Sequence, residues 1–207
     1  MKSKRTLLNK TAHSVRKGGR AVPARIAADR RVRRTRRVLT HALIDLVREK
    51  RYDAITIQDL LDRADVGRST FYSHYRGKDD LLLRSFERML EMLDQNMEQD
   101  GPASPRVAPV RELFRHVGEF GTFRRALAGA NMLDRLYQAG TNHLSHTIAR
   151  RLAALPAGPD GGTVPRPVTA QAFAGALFAL LRWWVDHDTP YSPERMDEMY
   201  HAIRLRA

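Results

Sequence analysis

Arg68, Ser69, Thr70, Tyr72 and Ser73 place a guanidinium and four hydroxyls within a run of six residues. Those groups suit hydrogen bonding to base edges. A guanidinium such as that of Arg68 matches guanine O6 and N7, and the methyl of Thr70 can meet a thymine methyl. Side chains this polar or small also let a helix approach the floor of a major groove. Thr56, Tyr72, His74 and Lys78 bring hydroxyl, imidazole and ammonium groups to flanking positions, where they would hold phosphates without reading sequence. Gly67 completes the set in the turn ahead of the run.

Such a surface is useful only on a rigid support, and the apolar positions supply one. From Thr35, Leu39, Ala42, Leu43, Leu46 and Val47 recur with helical spacing as one stripe. Arg51-Tyr52-Asp53 interrupts it. A second helix starts after Thr56, an N-cap with Asp59 three residues on, and turns Ile57, Leu60, Leu61 and Ala64 inward. Asp65-Val66-Gly67 makes a tight turn into a third helix, Arg68 to Tyr75, whose inward residues are Phe71 and Tyr75, with Val66 beneath the turn. Arg76-Gly77 is expected to end it, because glycine tolerates a left-handed stop. Lys78-Asp79-Asp80 opens a long fourth helix, its two acids at the positive end of the helix dipole. Leu81, Leu82, Phe86, Met89, Leu90 and Leu93 form its apolar face, and Gly101-Pro102 stops it in a loop over 101–108.

The remainder reads as more helices: Val110 to Phe120, Phe123 to Ala130 and Met132 to Leu155, then a Gly/Pro-rich loop from Pro156 to Pro167. Thr169 to Asp186 is apolar nearly all round, the mark of a helix buried in a core or an interface. Its most apolar part, Ala172 to Val185, contains Arg182 and falls short of the roughly 20 residues of a membrane span. Ser192-Pro193-Glu194 starts a last helix with Met196, Met199, Tyr200 and Ile203 on one side. No strand pattern is present, so the fold class is all-α: a three-helix DNA-binding domain with a helix-turn-helix over 31–78, then a helical domain over 79–207.

Fourteen of the 36 Lys and Arg residues lie in the first 37 positions against one acid, Asp29. That segment holds the whole net charge of +13, and 22 bases cancel 22 acids in the rest. A cationic arm on a neutral body suits a polyanionic partner. Residues 1–30, with Gly18-Gly19, Pro23 and few large apolar side chains, are expected to be disordered when free. The 207 residues include no cysteine, which fits a reducing cytoplasm and excludes disulfides and thiolate metal sites. No signal peptide is read, because Leu7-Leu8 is not followed by an apolar run. Nucleophile-elbow, phosphate-loop and metalloprotease motifs are all missing, so a binding protein without cofactor is expected rather than an enzyme. His143 and His146 share a helix face, but two histidines at that spacing are more often ordinary polar residues than metal ligands.

The run Thr56-Ile57-Gln58-Asp59-Leu60-Leu61, followed by Ala64-Asp65-Val66-Gly67-Arg68-Ser69-Thr70-Phe71-Tyr72-Ser73-His74-Tyr75 and Lys78-Asp79-Asp80-Leu81-Leu82, resembles the N-terminal domain of TetR-type transcriptional regulators. The likeness covers residues 35–90. Leu180 to Pro193 is similar to the penultimate helix and following turn of one subgroup of these regulators. The resemblance implies a cytoplasmic homodimer, its last two helices (near 169–186 and 193–204) forming a four-helix interface. It implies a double-stranded, pseudo-palindromic operator with half-sites roughly 34–36 Å apart or a little more. It further implies repression relieved by an unknown small-molecule effector, with Phe114, Phe120, Met132, Leu136, Tyr137 and Trp183 as candidate lining, and no membrane partner. The long cationic extension departs from the family's usual core. Arg30 to Arg37, Arg34 and Arg37 among them, either add backbone or groove contacts or form a solvated tail. Two rival readings are a non-specific nucleic-acid or membrane-surface binder driven by the arm, and a protein–protein adaptor of the same fold.

Overall fold

Alanine and arginine are strong helix formers even without an apolar stripe, and the first helix accordingly begins well upstream of the expected Thr35. In a computed structural model, which describes residues 24–98, 104–119, 132–154 and 164–204, α1 spans Ala24–Glu49. Residues 24–30 are therefore helical, a correction to the expected disorder, while 1–23 lie outside the described residues. The chain divides into a unit of Met1–Arg34 and a unit of Thr35–Ala207. In the first, Arg33 pairs with Asp29 at 2.9 Å, one turn apart on α1.

In the second unit, Leu39, Ala42, Leu43, Leu46 and Val47 are all buried, as their spacing requires. A 3-10 turn, Tyr52–Ala54, follows. The sequence reading took this stretch as an interruption only, yet Tyr52 and Ile55 are each 1% exposed and belong to the core. α2 spans Ile57–Ala64, and Thr56 caps it as expected: the Asp59 amide donates to Thr56 Oγ1 at 3.1 Å and the Asp59 carboxylate accepts from the Thr56 amide at 2.7 Å. Asp65 closes α2 in the left-handed region, at φ 51°. α3 is Arg68–Tyr72, shorter than read, and the His74 amide, bonding the Phe71 carbonyl three residues back, tightens the chain at its end. Gly77 is not a left-handed stop. Its carbonyl accepts from the Leu81 amide and so begins the next helix.

α4 runs Lys78–Glu98, α5 Val110–Glu119, α6 Met132–Ala154, α7 Arg166–Asp186 and α8 Pro193–Arg204. Among the described residues there is no strand. The helix read over Phe123 to Ala130 and the stop at Gly101-Pro102 lie outside them. α7 starts three residues before the expected Thr169, with Pro165 at its cap and Pro167 in its first turn, where a missing N–H costs nothing. Ser192 caps α8, its Oγ accepting from the Arg195 amide at 3.2 Å. At 21 residues α7 is long and apolar enough, by length and composition, to cross a membrane. Ala170, Ala174, Leu177, Phe178, Leu181 and Trp184 nevertheless bury one of its faces within the helical core.

Two cores result. One joins α1, the 3-10 turn, α2, α3 and the start of α4 with Met132 and Leu136 of α6. The other joins α4 through α8 around Phe114, Leu144, Leu177, Trp184 and Tyr200. α6 and α7 pack closely at Gly140, where an added Cβ would collide with the Phe178 ring. Gly140→Ala should therefore destabilise the protein by about 1–3 kcal/mol in urea unfolding. On an open helix surface the same exchange stabilises by roughly 0.5–1 kcal/mol, so the sign alone decides whether this contact holds.

Candidate nucleic-acid interface

Phe71 is fully buried and Tyr75 nearly so, and their rings lie 5.9 Å apart. These two anchors pin α3 from beneath, and Tyr72 meets the Phe71 ring edge-on at 5.3 Å from the opposite side. The outer surface then carries Gly67, Arg68, Ser69, Tyr72 and Ser73 exposed, with Thr70 and His74 half-buried. Tyr72 is 51% exposed, unusual for a tyrosine with no partner to cover it. Arg68 gives one N–H to Gln58 Oε1 at 2.9 Å, and Gln58 is itself braced by Asp62 at 2.7 Å. That single tether aims the guanidinium and leaves enough donors for a bidentate contact. Ser73 Oγ donates to the Thr70 carbonyl at 2.7 Å, which leaves its lone pairs outward. Arg34 and Arg37 are exposed on α1.

Two of the residues read as phosphate holders are otherwise engaged. Lys78 Nζ donates to the carbonyls of Tyr52, Asp53 and Ile55 at 2.9, 3.2 and 2.8 Å, which uses all three ammonium protons. It also lies 4.7 Å from the centre of the Tyr52 ring. Lys78 thus clamps the 3-10 turn to α4 rather than reaching outward. Thr56 spends its hydroxyl in the capping box, donating to Asp59 Oδ2 at 2.8 Å. The Lys50 ammonium, 2.8 Å from that same oxygen, and the Thr56 donors hold the Asp59 carboxyl far below the ordinary range. Both residues serve the interface by fixing α2 and α4.

The sequence reading missed a second layer behind this surface. Tyr52 Oη donates to Asp79 Oδ1 at 2.6 Å, and Arg135 Nη1 donates to Asp79 Oδ2 at 2.6 Å. Burial, and then the Asp79 carboxylate, push the Tyr52 hydroxyl well above its usual range, so it stays a donor. The available signal was an aromatic inside a polar break, three residues ahead of Ile55.

The candidate effector lining does not converge. Phe114 is buried against Trp184, with ring centres 5.0 Å apart. Met132 and Leu136 belong to the other core. Tyr137 is half-buried beside Phe178, and Phe120 lies outside the described residues. Trp183 is 39% exposed and stacks on His187 and Tyr191, while Trp184 is buried, so the two indoles face apart as adjacent helical residues must. A different feature, an open groove of about 600 Å³, runs between α4 and α6 past Leu83, Glu87, Glu91, Gln138, Asn142 and His143.

Beneath that groove His143 Nε2 lies 3.1 Å from Asp94 Oδ2, which also accepts from Thr147 Oγ1 at 2.7 Å. The hydrogen bond to Asp94 raises the His143 pKa against the opposing effect of burial, and the fields of Asp94, Glu91 and Glu87 add to the rise. A raised value in the folded state means stability that is full below the unfolded histidine value near 6.5 and lost as pH climbs through the folded one. The urea midpoint should accordingly fall as pH rises above about 6.5, and His143→Gln should flatten that part of the profile. His146 is exposed, and among the described residues no three metal-ligating side chains converge.

The sequence profile of bacterial regulatory proteins, tetR family, matches residues 39–84, the stretch that builds α2, α3 and their support. Over residues 39–84 this chain thus matches the TetR family. Over 75 residues, 34% of this chain, it is 41% identical to YxbF of Bacillus subtilis, an uncharacterized HTH-type transcriptional regulator. Over 68 residues, 32% of the chain, it is 28% identical to DhaS of Lactococcus lactis, a transcriptional activator of the dhaKLM operon. The matched part spans 20% of YxbF and 36% of DhaS, so these two likenesses concern the TetR-type domain alone. The likeness of fold extends further. A TetR transcriptional regulator from Streptococcus agalactiae superposes with a TM-score of 0.58 at 23% identity, over 86% of this chain and 98% of that one. The all-helical arrangement of a TetR-type N-terminal domain followed by a helical C-terminal domain is thus shared.

Proposed function

We propose that this TetR-type chain is a sequence-specific DNA-binding regulator that acts as a homodimer on a pseudo-palindromic operator. One observation carries the reading: α3 is locked from below by Phe71 and Tyr75 while Arg68, Ser69, Tyr72 and Ser73 face outward with free hydrogen-bonding capacity. In this reading Arg68 and Thr70 contact base edges, and Ser69, Tyr72, Ser73, His74 and the amide of Gly67 contact the backbone. Arg34 and Arg37 add phosphate contacts from α1. The homodimer is supported by the second face of α7, where Val168, Ala172, Ala179 and Trp183 are exposed, together with Ile203 of α8. An uncovered apolar face of that kind calls for a partner surface.

Regulation follows from binding. Occupancy of a promoter blocks transcription, so repression is the simplest outcome, and an effector relieves it by favouring the conformation that does not fit DNA. The α4–α6 groove falls in the volume range of small-molecule sites, roughly 300–1,000 Å³. DhaS, which is similar over the N-terminal domain, is named an activator, so that domain alone does not fix the sign of control. The protein acts in the cytoplasm, where the DNA is.

Selection of bound duplexes from a random library, followed by footprinting, tests this. The expected result is two protected half-sites related by a two-fold axis on one side of the duplex, roughly 34–36 Å apart or a little more. Recovery of unenriched sequence would overturn it. The concentration of +13 in the first 37 residues favours a second reading, an arm-driven binder without sequence preference. Removing residues 1–34 separates the two: a regulator keeps its preference with a shallower salt slope, whereas an arm-driven binder loses its affinity altogether.

A further inference from the structure

The DNA-binding domain is not finished by its own residues. Met132 and Leu136, from the first turn and a half of α6, are 1% and 7% exposed within the same core as Leu39, Tyr52, Phe71 and Leu81. Apolar contact of this kind holds two parts together, but the hydrophobic effect itself has no direction. Hydrogen bonds do. Between Met132 and Leu136, on the same turn, Arg135 donates to Asp79 Oδ2, and the other oxygen of that carboxylate is taken by buried Tyr52. Asp79 is in the first turn of α4, directly after the segment that follows α3. The link also borders the reading surface: Tyr72, Arg76, Lys78, Asp79 and Arg135 line one hollow beside α3.

We propose that Arg135 is a positioning residue for DNA recognition, fixing through Asp79 and Tyr52 the angle at which each subunit presents α3. This inference rests on the homodimeric DNA-binding reading above. Arg135 and Asp79 are 48% and 44% exposed, so the pair contributes little to stability, as exposed pairs generally do. Its effect is on geometry. A dimer with a held angle accepts one separation of half-sites; a dimer with a loosened angle accepts several.

The test uses the full chain and the duplex it selects, rebuilt as a series with the central spacer lengthened or shortened one base pair at a time. Wild type should favour one spacer length. Arg135→Gln, with a melting temperature close to wild type, should bind the preferred duplex about three- to tenfold more weakly and spread its affinity over neighbouring spacers. Tyr52→Phe should shift the profile the same way, because it frees the second oxygen of Asp79, and Arg135→Lys should restore most of the preference. A spacer profile of Arg135→Gln that superposes on wild type overturns the inference, whether or not overall affinity falls, since lost charge alone weakens all spacers alike. Should wild type itself show no spacer preference, the failure lies with the dimeric reading rather than with Arg135.

Discussion

Arg106→Ala is expected to cost about 3–5 kcal/mol in chemical unfolding, as breaking a buried ion pair by removing one partner does. The Arg106 side chain is 12% exposed, and its guanidinium bonds Glu112 through both of its carboxylate oxygens, at 3.1 and 2.5 Å, and Asp197 at 2.9 Å. Asp197 accepts in addition from the Arg111 amide at 3.2 Å, and His201 Nε2 accepts from the Val107 amide at 3.1 Å. Together these bonds tie the segment before α5 to α8, across 91 residues of sequence. Removing the cation leaves Asp197 without its arginine and Glu112 with Arg111 alone, both carboxylates largely out of water, which is why the loss exceeds the worth of the pairs themselves. The carboxylate side has its own signature. Burial alone would raise the Glu112 pKa, but the bonds from Arg106 and Arg111 hold it below the ordinary value. A depressed value in the folded state gives stability that is full above about pH 4.5 and lost as pH falls through the folded pKa. Glu112→Gln should therefore flatten the acid limb of the stability profile.

Arg68→Ala should relax base preference at one position of each half-site by about 1–3 kcal/mol, roughly five- to 150-fold in relative affinity. The other positions should keep their order, because Ser69, Thr70 and the core beneath α3 are untouched. Tyr72→Ala should instead weaken all duplexes alike and lower the salt dependence little, as the loss of an uncharged backbone contact does. A complete single-substitution affinity matrix for each variant separates the two patterns. An unchanged matrix for Arg68→Ala would remove that side chain from the reading surface and point to Gln58, its neighbour, as the residue that reads.

What could be read ahead of the structure was local. The capping box of Thr56 and Asp59 lies three positions apart, and the helical spacing that turns Ile57, Leu60 and Leu61 to one face covers four. Both leave their mark in spacing alone. The start of α5 at Val110 was equally legible. What escaped was tertiary. Lys78 resembles a phosphate ligand until its ammonium is found on carbonyls 23 to 26 residues upstream. Met132 and Leu136 fit an effector cavity by composition, and the structure buries them in the core of Leu39, Phe71 and Leu81. The upstream extent of α1 escaped for a different reason: it is built on alanine and arginine, so a search for apolar stripes passes over it. Gly77 shows the limit of single-residue rules, since the left-handed position of the helix-turn-helix falls to Asp65.

The account stands on α3 reading a duplex, and competition between the selected duplex and random-sequence DNA of equal length measures that most directly. At physiological salt the full chain should prefer the selected duplex by about a thousandfold or more. Equal affinity for the two would contradict the account and leave only charge to explain why this protein meets DNA.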